Sequence, residues 1–178
     1  MSVLLTSMVE PLAGEPGVFL VQSRSRLQVR HRVDLLEFDR NGGCSCEHFE
    51  VHIRGFLDRS RNGDLHKLPT SMRCWHIQVA RESLLNQVLR ELTRDVEALV
   101  GDGKRKFRVE LRSWNGCGRC ECKPWTSLCL PRIEAGGPAI DRNRCQHIIA
   151  ARLAYLDGEV LPALERRVGR RLGAPGRN

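Results

Sequence analysis

The chain has 178 residues, 41% hydrophobic and 28% charged, a balance that excludes wholesale disorder and suits one ordinary domain or two small modules. Only 5% are aromatic, which is thin for a single large core. Lys and Arg number 29 against 21 Asp and Glu, a formal charge of +8 that favours an anionic partner.

No stretch approaches the roughly 20 apolar residues of a membrane span. Residues 1–17, punctuated by Gly and Pro, show no basic residue ahead of their short apolar patch, which argues against a signal peptide. The expected location is cytoplasmic or otherwise intracellular, in the nucleoid or nucleus if the partner is DNA. In a reducing compartment the eight cysteines need a use other than disulfides.

Val18 to Val21 reads as a short strand, and Ser23 to Arg26 as a turn. From Leu27 to Leu35 the pattern alternates: Leu27, Val29, His31, Val33 and Leu35 lie on one face, Gln28, Arg30, Arg32 and Asp34 on the other. Period two marks a half-buried strand, so the pair predicts a hairpin. Asn41-Gly42-Gly43 predicts a turn just before the first cysteines. Residues 54–73 read as a polar loop. From Ile77 the period becomes helical: Ala80, Leu84, Leu85, Val88, Leu92, Val96 and Leu99 extend one apolar face until Gly101-Asp102-Gly103 stops it. A strand follows, with Phe107, Val109 and Leu111 inward and Lys106, Arg108, Glu110 and Arg112 outward. After more cysteines and a Gly/Pro-rich loop over 131–138, a second helix carries Ile148, Ile149, Leu153 and Leu156. Gly158 and Pro162 are expected to break or kink it before Leu164, Val168 and Leu172, ahead of a loose tail from Gly173.

The two halves share one order: alternating strand, cysteine pair, variable loop, Cys-x-His, amphipathic helix. This is an internal repeat of roughly 70 residues. The fold class expected is α+β, with one zinc-stabilised module at 18–101 and a second, divergent one at 104–173.

Between Cys44-Ser45-Cys46 and Cys74-Trp75-His76 lie 27 intervening residues, and between Cys120-Glu121-Cys122 and Cys145-Gln146-His147 lie 22. In an extended segment, residues two apart project to the same side, so two thiolates can grip one ion. Cys-x-His at a helix start adds a third sulfur and a nitrogen, a set suited to tetrahedral Zn²⁺. The helix N-terminus favours the negative charge of such a site. Buried cysteines acting as small hydrophobes are the competing reading, which the repeat disfavours. Two Zn²⁺ per chain are expected.

This arrangement resembles the SWIM-type zinc finger, defined by Cys-x-Cys…Cys-x-His. The likeness covers Val18 to Leu92, with Phe49 shortly after Cys46 and Ile77-Gln78-Val79-Ala80 after His76. It implies Cys44, Cys46, Cys74 and His76 as ligands. The second half is a looser match, because its first hairpin strand is not apparent and it offers two extra thiols, Cys117 and Cys129. Cys117-x-x-Cys120 is itself a zinc-knuckle spacing, so Cys117 is an alternative ligand. His48 and His52 are read as solvent-facing. SWIM fingers occur in plant transposases, in some ubiquitin ligases and kinases, and in bacterial proteins associated with Swi/Snf-class ATPases. The resemblance implies DNA binding or protein–protein contact without choosing between them.

For nucleic acid, Arg24, Arg26, Arg30 and Arg32 form a basic stripe, and Lys104, Arg105, Lys106, Arg108 and Arg112 form another at the equivalent place. Arg166, Arg167, Arg170 and Arg171 crowd the last helix. Asp34 and Glu110 would balance these stripes if they were merely solvated faces. The reading is a zinc-binding accessory module that binds nucleic acid, DNA before RNA, within a larger assembly. The alternative is a protein–protein adaptor, for which the wide apolar face of the helix from Ile77 is the motive. No small-molecule substrate is expected. His48-Phe49-Glu50 with Cys117-x-x-Cys120 superficially resembles zinc deaminases, but the preceding proline and the βαβ pattern are missing. With no phosphate loop and no nucleophile–base pair, the chain reads as non-enzymatic.

Overall fold

The alternation around Arg30 to Leu35 places that segment in the middle of an antiparallel sheet. A computed structural model describes residues 8–59, 72–103, 105–137 and 143–172, with side chains up to 169. Strands β1 (Val9–Pro11), β2 (Val18–Gln22), β3 (Arg30–Asp34) and β4 (Gly43–Cys44) form one four-stranded sheet in chain order. Phe19 pairs with Val33 and Val33 with Cys44, so the first metal-site cysteine hangs on the buried line of the sheet. Val33 and Leu35 are fully buried, while Arg30 and Arg32 face solvent. The strand is shorter than its alternation suggests. Ser23 N–H donates to the Val29 carbonyl and Val29 N–H to that of Arg26, which closes a turn and leaves Leu27 65% exposed.

Beyond Cys46 the expected loop is partly helical. Phe49–Arg54 winds as a π-helix and runs into α1 (Gly55–Arg59). Phe49, Ile53 and Leu57, four residues apart, are all buried. Each contributes about 1.5–3 kcal/mol of burial, which outweighs the polar residues between them. Residues 60–71 of that expected loop lie outside the described residues.

Helix α2 (Trp75–Glu91) begins within the Cys-x-His motif but ends well short of Gly101. Instead, β5 (Glu97–Asp102) pairs along its whole length with β6 (Arg105–Glu110). Val96 and Leu99 continue the helical period, but Ala98 and Val100 equally fit period two. The six-residue ladder with β6 decides for strand. Leu99 is consequently 71% exposed. This strand is the one missing from the second half, and β7 (Arg119–Cys120) completes a three-stranded sheet.

The second sheet repeats the first in register. Val109 pairs with Cys120 and Glu110 with Arg119, as Val33 pairs with Cys44 and Asp34 with Gly43. Trp125–Cys129 is again a π-helix, followed by α3 (Leu130–Glu134). Helix α4 (Gln146–Tyr155) starts at the second Cys-x-His. At Gly158 and Pro162 the chain does not break. A π-helical turn, Leu156–Val160, joins α4 to α5 (Leu161–Leu172), and Pro162, which has no N–H to donate to the turn before it, follows directly on this irregular turn. The described residues divide into two compact units: residues 85–158 in one, and residues 8–84 with 159–172 in the other. Each holds one complete Cys-x-Cys…Cys-x-His set.

Candidate metal centres

In the first unit, β4 presents Cys44 and the bend after it presents Cys46, while Cys74 and His76 come from the entry to α2. The four ligating atoms lie within 4.8 Å of one another. In the second unit, Cys120 on β7, Cys122, Cys145 and His147 converge to the same limit. A tetrahedral site with Zn–S bonds of about 2.3 Å has its sulfurs about 3.8 Å apart, so both clusters need only slight contraction around an ion. All eight cysteines are free and buried.

The histidines add an independent indication. Both ring nitrogens of His76 and of His147 are buried without a hydrogen-bond partner. An unpaired buried polar atom costs about 1–3 kcal/mol, and a metal bond to one of the two nitrogens removes part of that cost. Each ring is held by a neighbour at the same sheet position: His31 lies 4.4 Å from His76, and Phe107 4.5 Å from His147, between ring centroids. Asp102 adds a carboxylate 3.8 Å from His147 Nε2.

The thiols already act on one another. Hydrogen bonds from Cys44 and Cys74 push the Cys46 thiol far down, and the bond to Cys46 pushes Cys44 far up. Cys74 is pulled down by its bond to Cys44, but Cys46 and burial together leave it pushed up to about 11. In the second cluster burial is the leading cause, raising Cys120 and Cys145. A cation that replaces those protons turns mutual competition into shared coordination, with a pH-dependent affinity. Three thiolates and one Zn²⁺ leave a charge of −3 + 2 = −1 at each site. Cys46 gains further support from the Phe49 N–H, which donates to its sulfur at 3.4 Å.

These two Cys₃His clusters are two zinc sites. Untagged protein should return two zinc atoms per chain by elemental analysis; a single atom would identify the second copy as degenerate. Cys117 and Cys129 stand outside the ligand group. Both are buried, with Cys117 Sγ 4.0 Å from the Asn143 carbonyl oxygen and Cys129 in the π-helix after the knuckle. His48 and His52 are exposed, as expected.

The basic stripes are less free than their sequence suggests. Arg30 pairs with Glu10, and Arg32 lies 2.7 Å from Glu15 and 3.8 Å from Asp34. Arg108 lies 2.5 Å from Glu97. Arg112 is half-buried, donating to the Leu89 carbonyl at 3.1 Å and facing Asp95 at 3.7 Å. Arg24 stacks over Trp75, 5.2 Å from the ring centroid. Arg26 and Lys106 are exposed, as are Arg166 and Arg167. Lys104 and the side chains of Arg170 and Arg171 lie outside the described residues.

Four arginines escaped the sequence reading. Arg73, Arg81, Arg144 and Arg152 are all buried. Arg73 and Arg144 immediately precede the two Cys-x-His motifs, and Arg81 and Arg152 recur at one spacing beyond them, a second repeat that was there to be seen. No protein-family model, no curated protein and no solved structure matches the chain.

Proposed function

We propose that the chain is a non-enzymatic accessory module whose two SWIM-type zinc fingers shape a nucleic-acid-binding surface, for DNA rather than RNA, within a larger intracellular assembly. The observation that carries this reading is the repetition of exposed cations at matched register. Arg30 and Arg32 precede Val33 on β3, as Lys106 and Arg108 precede Val109 on β6, with Val33 and Val109 each paired to the first cysteine of a zinc site. A hairpin leading into Cys-x-Cys, then Cys-x-His opening a helix, supports the SWIM reading in both units. Four-ligand sites leave no coordination position open to a substrate, which favours a structural over a catalytic metal.

The carboxylates opposite these cations do not oppose the proposal strongly. Exposed ion pairs contribute about 0–1 kcal/mol and yield readily to a phosphate. They do make the stripe tunable. Arg30→Ala with Arg32→Ala should weaken binding about equally across sequences and lower the salt slope by roughly one to two units. Glu10→Gln with Glu15→Gln should act oppositely and tighten binding at low salt. Fluorescence anisotropy with labelled duplex DNA, single strands and RNA measures both. If both double variants fold and bind like wild type at low and moderate salt, the stripe has no part in binding.

The adaptor reading keeps one observation of its own. Val51 is 65% and Phe56 42% exposed on the first helical segment, and Leu128 is 57% exposed on its counterpart. Binding to a protein partner with a flat salt dependence would favour it.

A further inference from the structure

We propose that the paired arginines Arg73/Arg81 and Arg144/Arg152 are positioning residues of the two zinc sites. They hold the turn that leads into each Cys-x-Cys against the segment that carries Cys-x-His, so that the four ligands stand together before the metal arrives. The inference concerns metal assembly and does not depend on what the surface binds.

Each site draws its ligands from two segments separated by 27 or 22 residues of intervening chain. Gathering such segments costs loop-closure entropy, and something other than the ion must offset it if the site is to be preformed. In the first unit, Arg81 Nη1 donates to the Arg40 carbonyl at 3.1 Å, and Arg73 Nε lies 3.4 Å from the Asn41 carbonyl. In the second, Arg152 Nη1 donates to the Gly116 carbonyl at 2.5 Å and Arg144 Nε to the Cys117 carbonyl at 3.1 Å. Arg152 Nη2 also reaches Asn86 Oδ1 at 2.6 Å. In sequence alignment of the two copies, Arg40 corresponds to Gly116 and Asn41 to Cys117, so the same two successive carbonyls are held twice.

The turn needs holding. Phe38 and Asp39 have φ of 51° and 52°, and Trp114 and Asn115 have φ of 55° and 56°. Left-handed backbone is unfavourable for non-glycine residues, above all for bulky aromatic ones, so the turn persists only where its surroundings over-determine it. The second support comes from the helix. Gly42 and Gly118, each with φ of +93°, press so closely on Ile77 and Ile148 that a Cβ would stand 3.0 and 2.9 Å from their Cγ2 atoms. Ile77 and Ile148 directly follow the histidine ligands. The turn is thus fastened to the Cys-x-His helix by an arginine fork and an isoleucine contact in both units.

The test measures zinc affinity of the full chain by competition with a chromophoric chelator, together with the ligand-field spectrum of the Co²⁺-substituted protein. Arg81→Met should weaken the first site tenfold or more and leave the second unchanged, and Arg152→Met should do the reverse. Arg81→Lys keeps the charge but lacks the planar fork, so it should not restore affinity. The Co²⁺ bands of the affected site alone should shift or weaken. Should Arg81→Met fail to fold, Arg81→Lys provides the measurement. A lowered melting temperature with both zinc affinities and the Co²⁺ spectrum unchanged would overturn the proposal, as would full rescue by lysine.

Discussion

Replacing His76 by alanine should abolish cooperative folding of the first unit and reduce bound zinc from two atoms to one. Apparent binding free energies of structural zinc run to about 10–16 kcal/mol, comparable with or larger than the whole stability of an ordinary domain, about 5–15 kcal/mol. Losing one of four ligands forfeits much of that. It also leaves Cys44, Cys46 and Cys74 buried as three thiols that compete for protons. Cys74→Ala should behave alike, and so should excess chelator applied to the wild type. Circular dichroism during thermal unfolding, alongside zinc analysis, reads the result. Retention of a native spectrum and melting temperature by His76→Ala would make the metal peripheral to the fold.

Gly118→Ala should be strongly destabilising although it touches no ligand. Its φ of +93° is unfavourable for alanine, and the new Cβ would meet Ile148 Cγ2 at 2.9 Å and the Glu110 carbonyl oxygen at 3.2 Å. Ile148 is fully buried and cannot swing away. Backbone strain of about 1–2 kcal/mol and overpacking of about 1–3 kcal/mol together suggest a loss of about 3 kcal/mol. Because Gly118 lies just before Arg119 and Cys120, zinc affinity at the second site should fall with stability. Gly136→Ala is the control: its φ is +82° but nothing lies within 4 Å of the new Cβ, so only the backbone cost remains. Chemical denaturation of the two variants separates strain from collision. Equal, small losses would mean that the turn is not pressed against the helix.

The two metal centres were legible from spacing alone, because Cys-x-Cys and Cys-x-His are local patterns whose chemistry hardly depends on what surrounds them. The strand around Val33 and that around Val109 were legible for the same reason, since period two is a property of adjacent residues. Where two periods fitted equally, local pattern failed. Val96 to Val100 accepts helix or strand, and only the ladder with Arg105–Glu110 made it strand. The stripe Phe49, Ile53, Leu57 lay among too many polar residues to read as helix until its burial was visible. The charges of Arg30, Arg32 and Arg108 were plain in the sequence, but their pairing with Glu10, Glu15 and Glu97 depends on strands and turns brought alongside by folding. Arg81 and Arg152 show the difference most clearly. An arginine on a helix is by default a solvated residue, and it becomes a buried clamp only when a left-handed turn from far away in the chain offers its carbonyls.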